Sequence, residues 1–333
     1  LKITSPKLIG LVLTSALFGA LPSHAAEVEW KFYTYFAAND KPTELHKAFA
    51  EDVFKASKGR LKINVFASGE LPYKAADVLR AVASDQVQMG DVALGFVAGD
   101  VPELNAFAMP FSCTSMDKFY DKAAPAVAAD INAVLSRKFK VQSIMQWVMP
   151  PQQLWLVKPV TGIDGLKNLK VRSWNREQAE MMKLLGGSGV TITPAEVIPA
   201  LQRGVVDGAF TAAVPALDWK FNEVTKMGYM INLTLAHQLV AVNEQSLDKL
   251  PADLRTLLLN KVSEWVPKYR QSLIEADKVA RKTLTEKGVT LLDPTPQEMD
   301  KFRAVTRPMW AEWTAKNGAV AQKMLTAAVD ACR

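Results

Sequence analysis

Histidine and cysteine are scarce in this chain. Its 333 residues include three histidines and two cysteines. A zinc site needs a cluster of nitrogen, sulfur or carboxylate ligands, and no H-E-x-x-H stretch is present. The G-x-S-x-G nucleophile elbow, the Walker A phosphate loop and a G-x-G-x-x-G turn after a strand are missing as well. Gly186-Gly187-Ser188-Gly189 is glycine-rich, but it follows a helical stretch and reads as a cap and loop. No run of Lys and Arg is interleaved with aromatics. With 40 basic against 34 acidic residues, the net charge is +6. This balance suits a small anion and gives no nucleic-acid footprint. No internal repeat or low-complexity tract is found. Metal, cofactor and nucleic acid are therefore not expected.

The N-terminus carries an export pattern. Lys2 and Lys7 form a basic region, Leu8–Leu21 an apolar one, and Ser23-His24-Ala25 supplies small residues for cleavage. The apolar run is short against the roughly 20 residues of a membrane span. We expect 1–26 to be a signal peptide and the mature chain to be periplasmic. In an oxidising compartment Cys113 and Cys332 either pair or remain as two buried thiols, and pairing is expected.

The mature chain alternates strand and helix. Val28–Tyr35, Leu61–Phe66 and Met89–Ala93 read as strands, with helices over Lys41–Ser57 and Lys74–Ser84 between them. This order predicts a parallel, layered α/β sheet. Pro150-Pro151 makes a stiff crossing between Val141–Trp147 and Leu154–Val157. Pro251–Glu286 is one long amphipathic helix in which Pro267 should impose a bend. Thr193-Pro194-Ala195-Glu196 and Thr295-Pro296-Gln297-Glu298 both have the form of a capping box. Met309–Trp313 and Val320–Val329 read as closing helices. His46 lies on a helix as a surface or packing residue. His237 is read as a core histidine, with a place near the hinge as the alternative, and nothing local supports a Cys113–His237 catalytic pair.

Leu166–Val214 organises the rest. It reads as strand, helix, strand, helix, strand, with Arg172 near the end of the first strand and Thr211 after the last. Ligands of open α/β sheets bind beyond the carboxyl ends of the strands. Arg172 is then either a solvated, salt-bridged arginine or a fork for a carboxylate. The stretch LKNLKVR (Leu166–Arg172) with PAEVIPALQRGVVDGA (Pro194–Ala209) resembles the signature region of TRAP (tripartite ATP-independent periplasmic) transporter solute-binding proteins, the DctP-type family. The resemblance covers the chain after its leader.

That resemblance implies an α/β fold of two lobes, a Venus-flytrap periplasmic binding protein with a long helix spanning both. Lobe I would be 27–150 with 235–270, and lobe II 151–234 with 271–333. It implies that Arg172 grips the carboxylate of a small organic acid. The partners would be TRAP transporter integral membrane subunits, and no reaction would be catalysed. Asn232-Leu233-Thr234 is then a chance glycosylation sequon.

Two positions depart from the family pattern. Gln152 stands where many members have a second arginine, and Thr211 where many have asparagine. Both remain candidate hydrogen-bonding groups. Phe36, Tyr73, Phe96, Trp147, Trp174 and Trp219 are candidate walls. One cation among apolar walls points to an aromatic or cyclic monocarboxylate. The alternatives are a dicarboxylate or sugar-acid binder of the same family, a ligand sensor for a membrane receptor, or an exported two-lobe enzyme acting on small acids. The enzyme would need a nucleophile and a base near Arg172.

Overall fold

The structure is a computed structural model that describes residues 1–2 and 26–333. Apart from its ends, the expected signal peptide lies outside the described residues.

The first layer starts as the alternation predicts. β1 (Val28–Tyr33), α1 (Lys41–Ala56), β2 (Leu61–Phe66), α2 (Val78–Ala83) and β3 (Met89–Ala93) follow in order. Lys58 and Gly59, both at positive φ, stop α1 and turn the chain into β2. A short turn α3 (Met116–Lys118) leads through a π-turn into α4 (Ala124–Phe139) and then β4 (Val141–Met149).

The second layer comprises β5 (Gln153–Leu156), β6 (Lys170–Ser173), α5 (Arg176–Leu184), β7 (Ser188–Thr191), α6 (Pro194–Gln202), β8 (Gly208–Thr211), α7 (Ala213–Asp218) and β9 (Met227–Tyr229). The chain returns to the first layer at β10 (Ala236–Asn243) and α8 (Glu244–Lys249). It closes with α9 (Ala252–Glu286), β11 (Thr290–Leu292) and α10 (Pro296–Cys332).

The sheets correct one expectation. They are mixed, in the orders β2-β1-β3-β10-β4 and β11-β9-β5-β8-β6-β7. β10 is antiparallel to β3 and β4, and β5 is antiparallel to β8 and β9. Each reversed strand is one that arrives from the other layer. The two crossings run side by side. The Gln152 N–H donates to the Thr234 carbonyl at 2.9 Å, and the Leu233 N–H to the Gln152 carbonyl at 2.8 Å. A strand entering through such a crossing has its direction set by the other sheet, which local strand–helix alternation does not reveal.

α9 continues unbroken past Pro267. Its buried residues Leu258, Trp265 and Tyr269 face α1 and β4, and it goes on to meet α7 and β11. One helix thus spans both layers. α10 also touches both. Phe302 and Met309 join the core of the six-stranded sheet, whereas Ala321, Met324 and Ala328 join the other core. Gly318, at φ 81°, divides α10 into two helices. Cys332 at its end is bonded to Cys113, with α-carbons 5.2 Å apart. No helix among the described residues is long and apolar enough to cross a membrane.

Candidate functional site

Arg172 is the third residue of β6 and is paired with Ala209 of β8 and Val190 of β7. It is 2% exposed. Its Nε donates to the Ile192 carbonyl at 2.8 Å and its Nη1 to the Phe210 carbonyl at 2.7 Å. Neither partner carries a charge. Loss of hydration pulls the guanidinium down to about 9, still positive at neutral pH. No carboxylate pairs with it among the described residues. The backbone carbonyls hold the fork in one orientation, and Nη2 has no protein acceptor among the described residues.

The guanidinium lines a small cavity of about 30 Å³ between the two sheets. Tyr35 and Phe36 stack at 4.3 Å on one side, and Phe96 meets Tyr35 edge-on at 5.4 Å. Trp174, directly after β6, closes the gap by packing edge-on against Phe96 at 5.6 Å. A Cβ on Gly95 would lie 2.2 Å from the Trp174 ring, so the close approach of the two layers here requires glycine. Trp219 closes the far side and donates from Nε1 to Asp40 Oδ2 at 3.4 Å.

Gln152, Thr211, Phe36, Phe96, Trp174 and Trp219 therefore surround Arg172. Two expected wall residues do not. Trp147 is fully buried behind Phe36, packed on His46 at 5.7 Å and Tyr269 at 5.9 Å. Tyr73 packs edge-on against Tyr33, the last residue of β1, at 5.6 Å, with its hydroxyl on Gln86, and does not line the cavity. Tyr35, Met149, Pro194, Pro215 and Gln238 line the cavity without having been singled out. Tyr35 donates to Gln238 Oε1 at 3.1 Å. The signal for Tyr35 was available, because the chain leaves β1 at its carboxyl end, next to Phe36.

Histidine, cysteine, aspartate, glutamate and lysine are absent from the described lining. His46 is buried below it, bonded to Asp91 and Tyr269. His237 is packed between Phe107 and Phe119. Cys113 is in the disulfide and offers no thiol. The cavity offers a fixed cation, hydrogen bonds and aromatic faces, a set suited to holding an anion.

The model of the family described as bacterial extracellular solute-binding protein, family 7 (DctP) matches residues 33–317. This chain belongs to that family. It is 28% identical to the C4-dicarboxylate-binding periplasmic protein DctP of Rhodobacter capsulatus, over 93% of this chain and 94% of that protein. Among solved structures it is similar to DctP6, a Bordetella pertussis extracytoplasmic solute receptor binding pyroglutamic acid. The TM-score is 0.85 at 25% identity, covering 91% of this chain and all of that one. A marine metagenome TRAP solute-binding protein specific for pyroglutamate, from an unidentified microbe, is equally similar, with TM-score 0.85 and 25% identity over 92% of this chain and all of that one. The two-lobe fold is that of the TRAP binding proteins.

In this DctP-family chain the Val206-Asp207-Gly208 run has a local cause. Asp207 Oδ2 accepts from the Lys170 N–H at 2.8 Å, and the Asp207 N–H donates back to the Lys170 carbonyl. This clamps β8 beside β6, two residues before Arg172. A Cβ on Gly208 would sit 2.5 Å from the Trp155 carbonyl oxygen. Only glycine lets β8 approach β5 so closely. The strand begins only at Gly208, after a turn in which Gly204 is at positive φ and Val205 is exposed.

Proposed function

We propose that this chain captures an aromatic or cyclic monocarboxylate in the periplasm and delivers it to TRAP transporter membrane subunits. The carrying observation is Arg172, a buried cation held, among the described residues, by two neutral carbonyls alone. Burying a charge without a counter-charge is costly. A ligand carboxylate on Nη2 repays that cost and is shielded from water by the same walls. Arg172 is the one charged side chain of the described lining, which supports a single carboxylate over two. The rings of Phe36, Phe96, Trp174 and Trp219 suit a flat or cyclic body. The pyroglutamate receptors of similar fold support the ring, whereas the C4-dicarboxylate relative supports the alternative of a second acid group.

The cavity lies between segments 27–150 with 235–270 and 151–234 with 271–333, which we take as the two lobes. The last turns of α10 ride with the first lobe through Cys113–Cys332. A pocket of about 30 Å³ holds little more than one water, so entry of an acid requires the lobes to part. The ligand then favours the closed form because it touches both lobes only there. A thermal-shift screen tests the class. Benzoate-like acids or pyroglutamate-like ring acids should raise the melting temperature. A rise with C4-dicarboxylates or sugar acids alone would contradict the assignment.

A further inference from the structure

The inner wall contains two buried glutamines in series. Gln178, on α5, is fully buried, and Gln152, at the crossing into β5, is 5% exposed. The Trp174 N–H donates to Gln178 Oε1 at 3.1 Å. A backbone N–H can only donate, so the atom it meets must be the amide oxygen. That fixes the orientation of the Gln178 amide. Its NH2 end faces Gln152 and donates to Gln152 Oε1. An NH2 group also only donates, so the Gln152 atom it meets must be oxygen. The Gln152 NH2 is then the end left over. It has no acceptor among the described residues, and Gln152 lines the cavity with Arg172.

Neither glutamine is free to drift. The Gln152 main chain is held by Thr234 and Leu233 on both sides. The Gln178 N–H donates to Asn175 Oδ1 at 2.9 Å, the N-cap bond of α5. The orientation thus passes from the Trp174 backbone to Gln178 to Gln152.

We propose that Gln178 is a positioning residue that turns the Gln152 NH2 into the cavity, and that the site selects acids carrying a further hydrogen-bond acceptor on the ring or chain beside the carboxylate. This rests on the carboxylate reading of Arg172 and narrows it. With donors from both Arg172 and Gln152, an acid lacking the acceptor leaves a buried NH2 unpaired. Sites built to bond a polar group reject analogues without it far more strongly than they reject a missing methylene.

The test is calorimetry on the whole chain with two ring acids of similar size. Pyroglutamate carries a ring carbonyl, and cyclopentanecarboxylate carries no acceptor outside its carboxylate. Wild type should prefer pyroglutamate by about tenfold or more. Gln178→Met and Gln152→Leu should each cut that preference by at least about threefold, Gln152→Leu by weakening pyroglutamate and tightening cyclopentanecarboxylate, because it removes the NH2 that the second acid leaves unpaired. In the Gln152→Leu background, Gln178→Met should do nothing further to the preference. A Gln178→Met variant that keeps the full preference overturns the proposal. So does one that weakens both acids equally, or one that still acts when Gln152 is leucine. If neither acid binds wild type, the ring-acid reading has failed by itself, and side-chain amide hydrogen exchange then judges the wiring. Slow exchange at the Gln178 NH2 with fast exchange at the Gln152 NH2 supports it, and fast exchange at both overturns it.

Discussion

Arg172 and Asp91 are both buried ionisable side chains, one in each sheet, and the protein treats them differently. Asp91, on β3, is fully buried. Its Oδ2 accepts from Thr34 Oγ1 at 3.0 Å and meets His46 Nε2 at 3.1 Å, while His46 Nδ1 meets the Tyr269 hydroxyl at 2.6 Å. The acid therefore ties together β1, β3, α1 and α9. Arg172 has two backbone carbonyls and no charged partner among the described residues. A buried side chain already hydrogen-bonded to several elements ties the fold together. A charge left without a partner, with its orientation fixed, is available to a ligand. The contrast singles out Arg172 as the candidate anion contact better than burial does alone.

Substitutions should separate the two roles. Asp91→Ala leaves His46 and Thr34 without their acceptor. Each buried donor left unpaired costs about 1–3 kcal/mol, so the urea midpoint should fall sharply while the folded fraction keeps its affinity for acid. Arg172→Ala should do the reverse. Loss of one partner of a buried charged contact costs about 2–5 kcal/mol, so affinity should drop more than tenfold while stability holds or rises. Arg172→Lys should not restore binding, because an ammonium cannot reproduce the fork. Titration calorimetry beside urea denaturation reads both effects. The comparison breaks if Arg172→Ala unfolds the protein or Asp91→Ala abolishes binding.

A third buried group sharpens the comparison through pH. The His237 Nε2–H bonds Gln146 Oε1 at 3.0 Å, and Nδ1 has no partner among the described residues. Burial holds its imidazole down to about 3. In the unfolded chain it titrates near its ordinary value of about 6.5. Between these values the unfolded state binds the extra proton, so stability is fully present above about pH 6.5 and falls as pH drops toward 3. His237→Gln should flatten that part of the profile, measured as urea midpoints at several pH values.

The two capping boxes give the smallest effects. Thr295 accepts from the Glu298 N–H, and Glu298 reaches back to the Thr295 N–H at 2.8 Å. Thr295→Ala should cost about 1 kcal/mol. The Thr193 hydroxyl donates to Glu196 Oε2 at 2.9 Å and, among the described residues, makes no cap bond to a backbone N–H, contrary to its pattern. Thr193→Ala should change stability by only a few tenths of a kcal/mol, within the range of exposed substitutions.

Periodicity makes most strands and helices of this chain legible, and the motif around Arg172 makes its position legible. Pattern does not reveal what covers a face. Trp147 and Met149 share one face of β4 because side chains alternate. Met149 reaches the cavity, while His46 and Tyr269 cover Trp147 first. Those two residues come from α1 and α9, far away in sequence. Tyr73 fails as a wall for a related reason: the loop after β2 folds it back onto Tyr33, away from the cleft. The reversed directions of β5 and β10 depend on two crossings paired across more than 80 positions, which no local window contains.

The most direct test of the Arg172 assignment compares a bound acid with its own carboxamide. The amide keeps the body and one carbonyl oxygen but removes the charge. Calorimetric titration of wild type with pyroglutamate and with pyroglutamide should give tight binding of the acid and a loss of more than about tenfold for the amide. In Arg172→Ala the two should bind equally weakly. Equal binding of acid and amide to wild type, or full affinity for the acid in Arg172→Ala, would contradict the account.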